Sequence, residues 1–80
     1  MNASQCKMAR AGLALGVREL ELAARADVST NTITRFERGE ALYLWTVDAI
    51  RTALEPAGVE FIAENGGGAG VRLRKEAGNM

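Results

Sequence analysis

Between Ser29 and Arg38 the chain gathers Thr30, Asn31, Thr32, Thr34, Arg35 and Arg38 around only two apolar residues, Ile33 and Phe36. These side chains are hydroxyls, an amide and guanidinium groups, which offer hydrogen bonds but no activated nucleophile. The sequence contains no histidine and one cysteine, so His-based catalytic triads and the usual zinc spacings are excluded. Cys6, with no histidine to activate it, reads as a core residue. The chemistry left is recognition. Asparagine can pair bidentately with adenine and arginine with guanine, while threonines suit thymine methyls or phosphates, so this collection at the start of a helix fits base edges in a major groove. The alternative is a solvated face of a small helical bundle, with Arg35 and Arg38 in water or paired with Glu37 or Glu40. Neither an enzyme nor a cofactor or metal is expected. The glycines at 66, 67, 68 and 70 are read as a hairpin loop needing backbone freedom, because a phosphate-binding turn needs a helix after it to supply amide groups.

Those side chains need a scaffold. Cys6, Met8, Ala9 and Leu13 recur near helical spacing behind Ser4, a candidate N-cap, which predicts a first helix over Ser4 to Leu15 ended by Gly16. RELELAARA is rich in helix formers and predicts a second helix of about eight residues from Val17 or Arg18, with Leu20 and Ala23 or Ala24, or else Leu22 and Ala26, as its inner face. Asp27 tolerates the left-handed conformation of a tight corner, and Ser29 is placed to cap a third helix over Thr30 to Arg38 that Gly39 stops. Thr46 is the candidate cap of a fourth helix carrying Val47, Ile50 and Leu54, closed by Pro56 and Gly58. The period then becomes two. Val59, Phe61 and Ala63, and after the glycine loop Val71 and Leu73, alternate as in a β-hairpin. The domain is expected to span 1–75, with the hairpin over 59–75 and a frayed tail over 76–80.

Two short helices joined by ADVS, with Leu22, Ala23, Val28, Ile33 and Phe36 as the apolar positions, have the spacing of a helix-turn-helix. The stretch LAARADVSTNTITRFERGE resembles the helix-turn-helix of the phage-repressor and Cro-like regulators, the XRE family, through Leu22, Ala23, Val28, Ser29, Ile33, Phe36, Glu37 and Gly39. With QCKMARAGL before it and VEFIAENGGGAGVRLRK after it, the chain is similar to short bacterial regulators of this family that carry a C-terminal hairpin. The resemblance implies a mainly α, lambda-repressor-like domain of four helices and a C-terminal β-hairpin. It implies that Thr30, Asn31, Thr34 and Arg35 face bases, that Ser29 and Arg38 face phosphates, and that an arginine of the first helix pairs with Glu37. Ungapped alignment puts Gly12 at that position, and Arg10 takes it only if the second helix carries two extra residues. The same alignment puts Arg18 and Glu19 where the family has Ser or Thr followed by Gln, and Asp27 where it has glycine.

Eighty residues with 48% apolar and 25% charged content form one ordinary folded unit that buries roughly 60% of the surface its unfolded chain exposes. Ten basic and ten acidic side chains cancel, a balance that does not itself point to DNA and mildly favours a protein partner. No stretch reads as a signal peptide or membrane span, and the cytoplasm is the expected location. The expected function is a sequence-specific transcriptional regulator, a repressor, that binds double-stranded DNA as a homodimer through the hairpin on a palindromic site. The alternative is a protein-interaction module, antitoxin-like or an adaptor, in which the helix-turn-helix is scaffold and the hairpin plus Trp45 bind a protein. Arg72, Arg74 and Lys75 alternate with Val71 and Leu73 and read as a solvated edge, with phosphate or dimer contacts as the other uses.

Overall fold

The computed structural model describes residues 1–24 and 28–74. Its elements are α1 (Ala3–Gly12), α2 (Val17–Ala23), α3 (Thr30–Glu37), α4 (Leu44–Leu54), a 3-10 turn (Glu55–Ala57), β1 (Val59–Ile62) and β2 (Gly70–Leu73). The chain is thus mainly helical with a small antiparallel hairpin at its C-terminal end. The corner at Asp27, Lys75 and the tail expected over 76–80 lie outside the described residues. Among the described residues no helix is long and apolar enough to cross a membrane.

Helix ends follow local chemistry more closely than apolar periodicity suggests. Asn2, not Ser4, caps α1: its side chain accepts from the Gln5 amide at 2.8 Å, and the Gln5 side chain accepts from the Asn2 amide at 2.9 Å. This reciprocal box needs Glu or Gln three residues after the cap; Asn2 has Gln5, whereas Ser4 has Lys7. α1 ends at Gly12, earlier than expected, because Ala14 turns to φ +54° and the Ala14 and Leu15 amides return to the carbonyls of Ala11 and Arg10. α3 closes the same way. Gly39 at φ +102° lets its own amide reach Phe36 O and the Glu40 amide reach Arg35 O, a Schellman motif. α4 begins at Leu44 behind Tyr43, whose carbonyl takes the Thr46 and Val47 amides, so Thr46 lies in the first turn and is not the cap.

The core joins Cys6 and Ala9 of α1, Leu20 of α2, Ala24, Val28, Ile33 and Phe36 of α3, Ile50 and Leu54 of α4, and Val59 of β1. On α2 the inward face is Leu20 with Ala24 at i, i+4. Leu22 is 78% exposed and Ala23 is exposed too. Of the two faces left open by the sequence, the one with Leu20 and Ala24 is found, and the Leu22–Ala23 pair that the resemblance implies is corrected, its leucine by two residues. Leu20 stands eight positions before Val28, where the resemblance has six, and the Leu20–Ala24 stripe wins because it is the one that meets α3 and α4.

The hairpin pairs Val59 with Leu73, Glu60 with Arg72, Phe61 with Val71 and Ile62 with Gly70. Strand β1 stops one residue short of Ala63, and β2 takes in Gly70. An isolated hairpin is marginal in water, and this one is secured by the helices. Val59 is 1% exposed, β2 packs on α1, and the Gln5 side-chain amide donates to Ile62 O at 3.0 Å and Gly70 O at 2.9 Å, one carbonyl on each strand. Gln5, 5% exposed, thereby uses both ends of its amide to fasten the start of the chain to the end of the sheet.

Two outcomes follow from this packing. Leu20→Ala is expected to cost about 2 to 5 kcal/mol in chemical denaturation, whereas Leu22→Ala stays within about 0.5 kcal/mol of the parent; a reversed order would return the inner face to Leu22. Truncation after Ala57 removes Val59 and both Gln5 acceptors, so circular dichroism of the shortened chain is expected to show loss of cooperative unfolding, and a folded helical remnant would show that the hairpin is not part of the core.

Candidate functional site

α3 is held from three sides. Its inner residues Ile33 and Phe36 are 0% and 7% exposed. At its N-terminus the Ser29 hydroxyl accepts from the Thr32 amide at 3.1 Å and shares a hydrogen bond with the Thr32 hydroxyl at 2.9 Å. The Glu21 carboxylate of α2 accepts from the Thr30 amide at 2.9 Å, a negative charge at the positive end of the helix.

At the other end Glu37 faces inward. Its carboxylate receives Arg10 Nε at 2.8 Å on Oε2 and Arg10 Nη2 at 2.7 Å on Oε1, while Cys6 Sγ donates to Oε2 at 3.1 Å. Arg10 also donates from Nη1 to Leu15 O at 3.1 Å, tying the turn after α1 into the same cluster. The helix-1 partner of Glu37 is thus Arg10, displaced from the ungapped Gly12 by the same two residues that displace Leu20; Gly12 instead lies against Leu73. Burial pushes the Glu37 carboxyl up, but the hydrogen bonds from Arg10 and Cys6 outweigh it and hold it below its ordinary range. The Cys6 thiol is pushed up to about 12 by burial and by its hydrogen bond to Glu37, so at neutral pH it is a protonated donor and not a nucleophile.

With Glu37 turned inward, the outer side of α3 carries the remaining expected residues. Asn31, Arg35 and Arg38 are exposed, and Thr30 and Thr34 are half-buried. The structure brings Ser29, Thr30, Asn31, Thr34, Arg35 and Arg38 onto one short element, with Ser29 occupied as the cap. Asn31, Thr34, Arg35 and Arg38 fall at i, i+3, i+4 and i+7, one stripe of a helix. Arg38 forms no ion pair among the described residues. Arg35 does: its Nε lies 2.9 Å from Glu40 Oε1, with both side chains about half exposed. Sequence reasoning sets Arg35 toward bases and Arg38 toward phosphates, with ion pairs to Glu37 or Glu40 as the other reading of both; among the described residues only Arg35 forms such a pair. The signal that separates them is Gly39, which folds Glu40 back toward Arg35. Glu19 folds against Gly16 at the start of α2.

Beside α3, Thr32, Arg35, Ala41, Leu42, Tyr43 and Thr46 line an open groove of about 540 Å³. Next to it Tyr43 and Trp45 stack with ring centroids 4.5 Å apart and planes 8° from parallel, and Tyr43, Leu44 and Trp45 are 69, 82 and 70% exposed. The hairpin arginines are engaged differently: Arg72 pairs with Glu60 at 3.2 Å, and Arg74 donates to Glu55 O. No protein-family model matches the chain, and no curated protein matches it.

The Glu37 cluster has a pH signature. A carboxyl whose folded value is depressed contributes stability that is fully present above its unfolded value, roughly pH 4.3, and is lost as pH falls through the folded value. Stability measured by urea titration is therefore expected to fall on acidification from pH 5 toward pH 3, and Glu37→Gln is expected to flatten that dependence while lowering stability at pH 7. Because it leaves one buried charge without its partner, Arg10→Ala is expected to cost about 3 to 5 kcal/mol at neutral pH. An unchanged acid limb in Glu37→Gln would place the depressed carboxyl elsewhere.

Proposed function

We propose that this chain is a sequence-specific DNA-binding regulator of transcription: a lambda-repressor-like helix-turn-helix domain of the phage-repressor type, acting in the cytoplasm as a repressor without enzymatic activity. The observation that carries the reading is the division of α3 into two faces. Ile33, Phe36 and Glu37 are buried, and Glu37 is neutralised by Arg10, so the solvent side of the helix offers amide, hydroxyl and guanidinium groups with Glu37 removed from the surface that would meet phosphate. The Arg10–Glu37 pair that the resemblance to the XRE family implies also supports it. In this reading Asn31 and Arg35 take adenine and guanine edges, Thr30 and Thr34 take thymine methyls or phosphates, and Ser29 and Arg38 border the backbone.

One eight-residue helix reads few base pairs, so the working form is a homodimer on a palindrome, with half-sites about 34 Å apart or a multiple of that. The hairpin supplies the interface through an outer strand edge, since a two-stranded sheet leaves two edges unpaired. A second reading, a protein-interaction module, is favoured by one specific observation: three consecutive large apolar side chains, Tyr43, Leu44 and Trp45, stand exposed beside the groove.

Selection of bound sites from a random DNA pool, followed by binding titrations, separates the two. Arg35→Ala is expected to lose about 1 to 3 kcal/mol on the selected site and to relax preference at one base position. Arg38→Ala is expected to weaken binding to all sequences and to lower the salt slope by about one. Equal binding of the selected site by Arg35→Ala and the parent would remove α3 from base reading, and a pool that yields no preferred sequence would favour the protein-interaction module.

A further inference from the structure

Among the described residues, Glu40 is the acidic side chain that pairs with an exposed arginine of α3, and its position is written into the backbone. In a Schellman ending the residue two past the cap returns to the residue three before it, and an apolar contact commonly joins their side chains. Here those residues are Glu40 and Arg35. The Glu40 amide donates to Arg35 O at 3.1 Å, Gly39 takes φ +102° to allow it, and the side chains meet through Arg35 Nε and Glu40 Oε1 at 2.9 Å. Backbone and side-chain bonds therefore join the same two residues, and the ion pair stands where the apolar contact would be.

Resting on the DNA reading proposed above, we infer that Glu40 is a positioning residue that orients Arg35 for guanine. A guanidinium has five N–H donors, and a bidentate contact to guanine O6 and N7 uses two. The observed pair occupies Nε and leaves the terminal amino groups, Nη1 and Nη2, as the end that guanine takes. An arginine so held surrenders less side-chain freedom when it docks. The opposing effect is electrostatic: a carboxylate next to a DNA backbone is repelled by phosphate. The two effects act on different quantities. Repulsion lowers affinity for every sequence, whereas orientation raises the preference for guanine at one position.

That opposition gives the test. Parent, Glu40→Ala, Arg35→Ala and the double variant are titrated against the selected site, against the same site with the Arg35-dependent base pair exchanged, and against unrelated DNA. Glu40→Ala is expected to reduce the preference at the Arg35-dependent position by about two- to tenfold, the range that ordering one long side chain provides, while binding to unrelated DNA stays equal or tightens. In the Arg35→Ala background the same change is expected to leave base preference untouched. A loss of general stability would not produce this pattern, because it would lower binding to every DNA alike. A preference that is retained or sharpened in Glu40→Ala, or one that falls equally without Arg35, overturns the role of Glu40 alone. A parent chain that selects no sequence overturns the DNA reading and this inference with it.

Discussion

A carboxylate placed inside an 80-residue domain has to be neutralised where it stands, and much of this architecture is arranged around Glu37. Its side chain is 8% exposed, against 22% for Arg10, so the attraction between them acts in a medium far less screening than water. Three elements converge on the two residues: α3 supplies the carboxylate, α1 supplies Arg10 and Cys6, and the turn after α1 supplies the Leu15 carbonyl that takes the third guanidinium nitrogen. Each partner satisfies a group that would otherwise be buried and unpaired, and no buried side-chain nitrogen or oxygen among the described residues lacks a hydrogen bond. Because the pair is directional as well as strong, it sets the rotation of α3 about its own axis. That rotation decides which residues look outward.

The same local device ends both α1 and α3, once against the core and once on an exposed face. In each case the residue three before the cap is an arginine, and the residue two past it is brought back by a left-handed turn, at Ala14 in one and Gly39 in the other. Arg10 is thereby set over the Leu15 carbonyl and into Glu37, and Arg35 is set against Glu40. Glycine takes this conformation at little steric cost, whereas at Ala14 the methyl group crowds the following carbonyl and about 1 to 2 kcal/mol of strain is held. The surroundings that sustain the strain are the two returning amide bonds and the Arg10 cluster just described.

Much of this was readable in the sequence, and the gaps have physical causes. α3 announces itself through Ser29 at the cap, Ile33 and Phe36 on the inner face and Gly39 at the end, all local signals within one element. The hairpin is legible for the same reason, as the period changes at Val59. On α2 the pattern fails because Leu20, Leu22, Ala23, Ala24 and Ala26 offer two overlapping apolar stripes, and only the neighbouring helices decide between them. Likewise, nothing in the sequence marks Asn2 above Ser4 as the first cap except Gln5 three residues on. Of the proposed reading face, every residue is named from sequence, and an ion pair to Glu40 is among the alternatives for its two arginines; which of them pairs depends on the turn at Gly39, which brings Glu40 to Arg35. Gln5 was missed entirely, because its role as a clamp needs partners far along the chain.

That distance gives the clamp a kinetic meaning. Gln5 caps its own helix across three residues, but its second pair of bonds spans 57 and 65 positions. A helical turn can form in well under a microsecond, while a ribosome adding roughly 5 to 20 residues per second takes about 3 to 13 seconds to go from Gln5 to Gly70. Throughout that interval α1 lacks the strand β2 that packs on it, and a helix of ten residues is marginal without such packing. Closure of the domain therefore waits for the hairpin to be made, when the loop entropy of contacts 57 and 65 positions apart is repaid by a single side-chain amide and the strands it bridges.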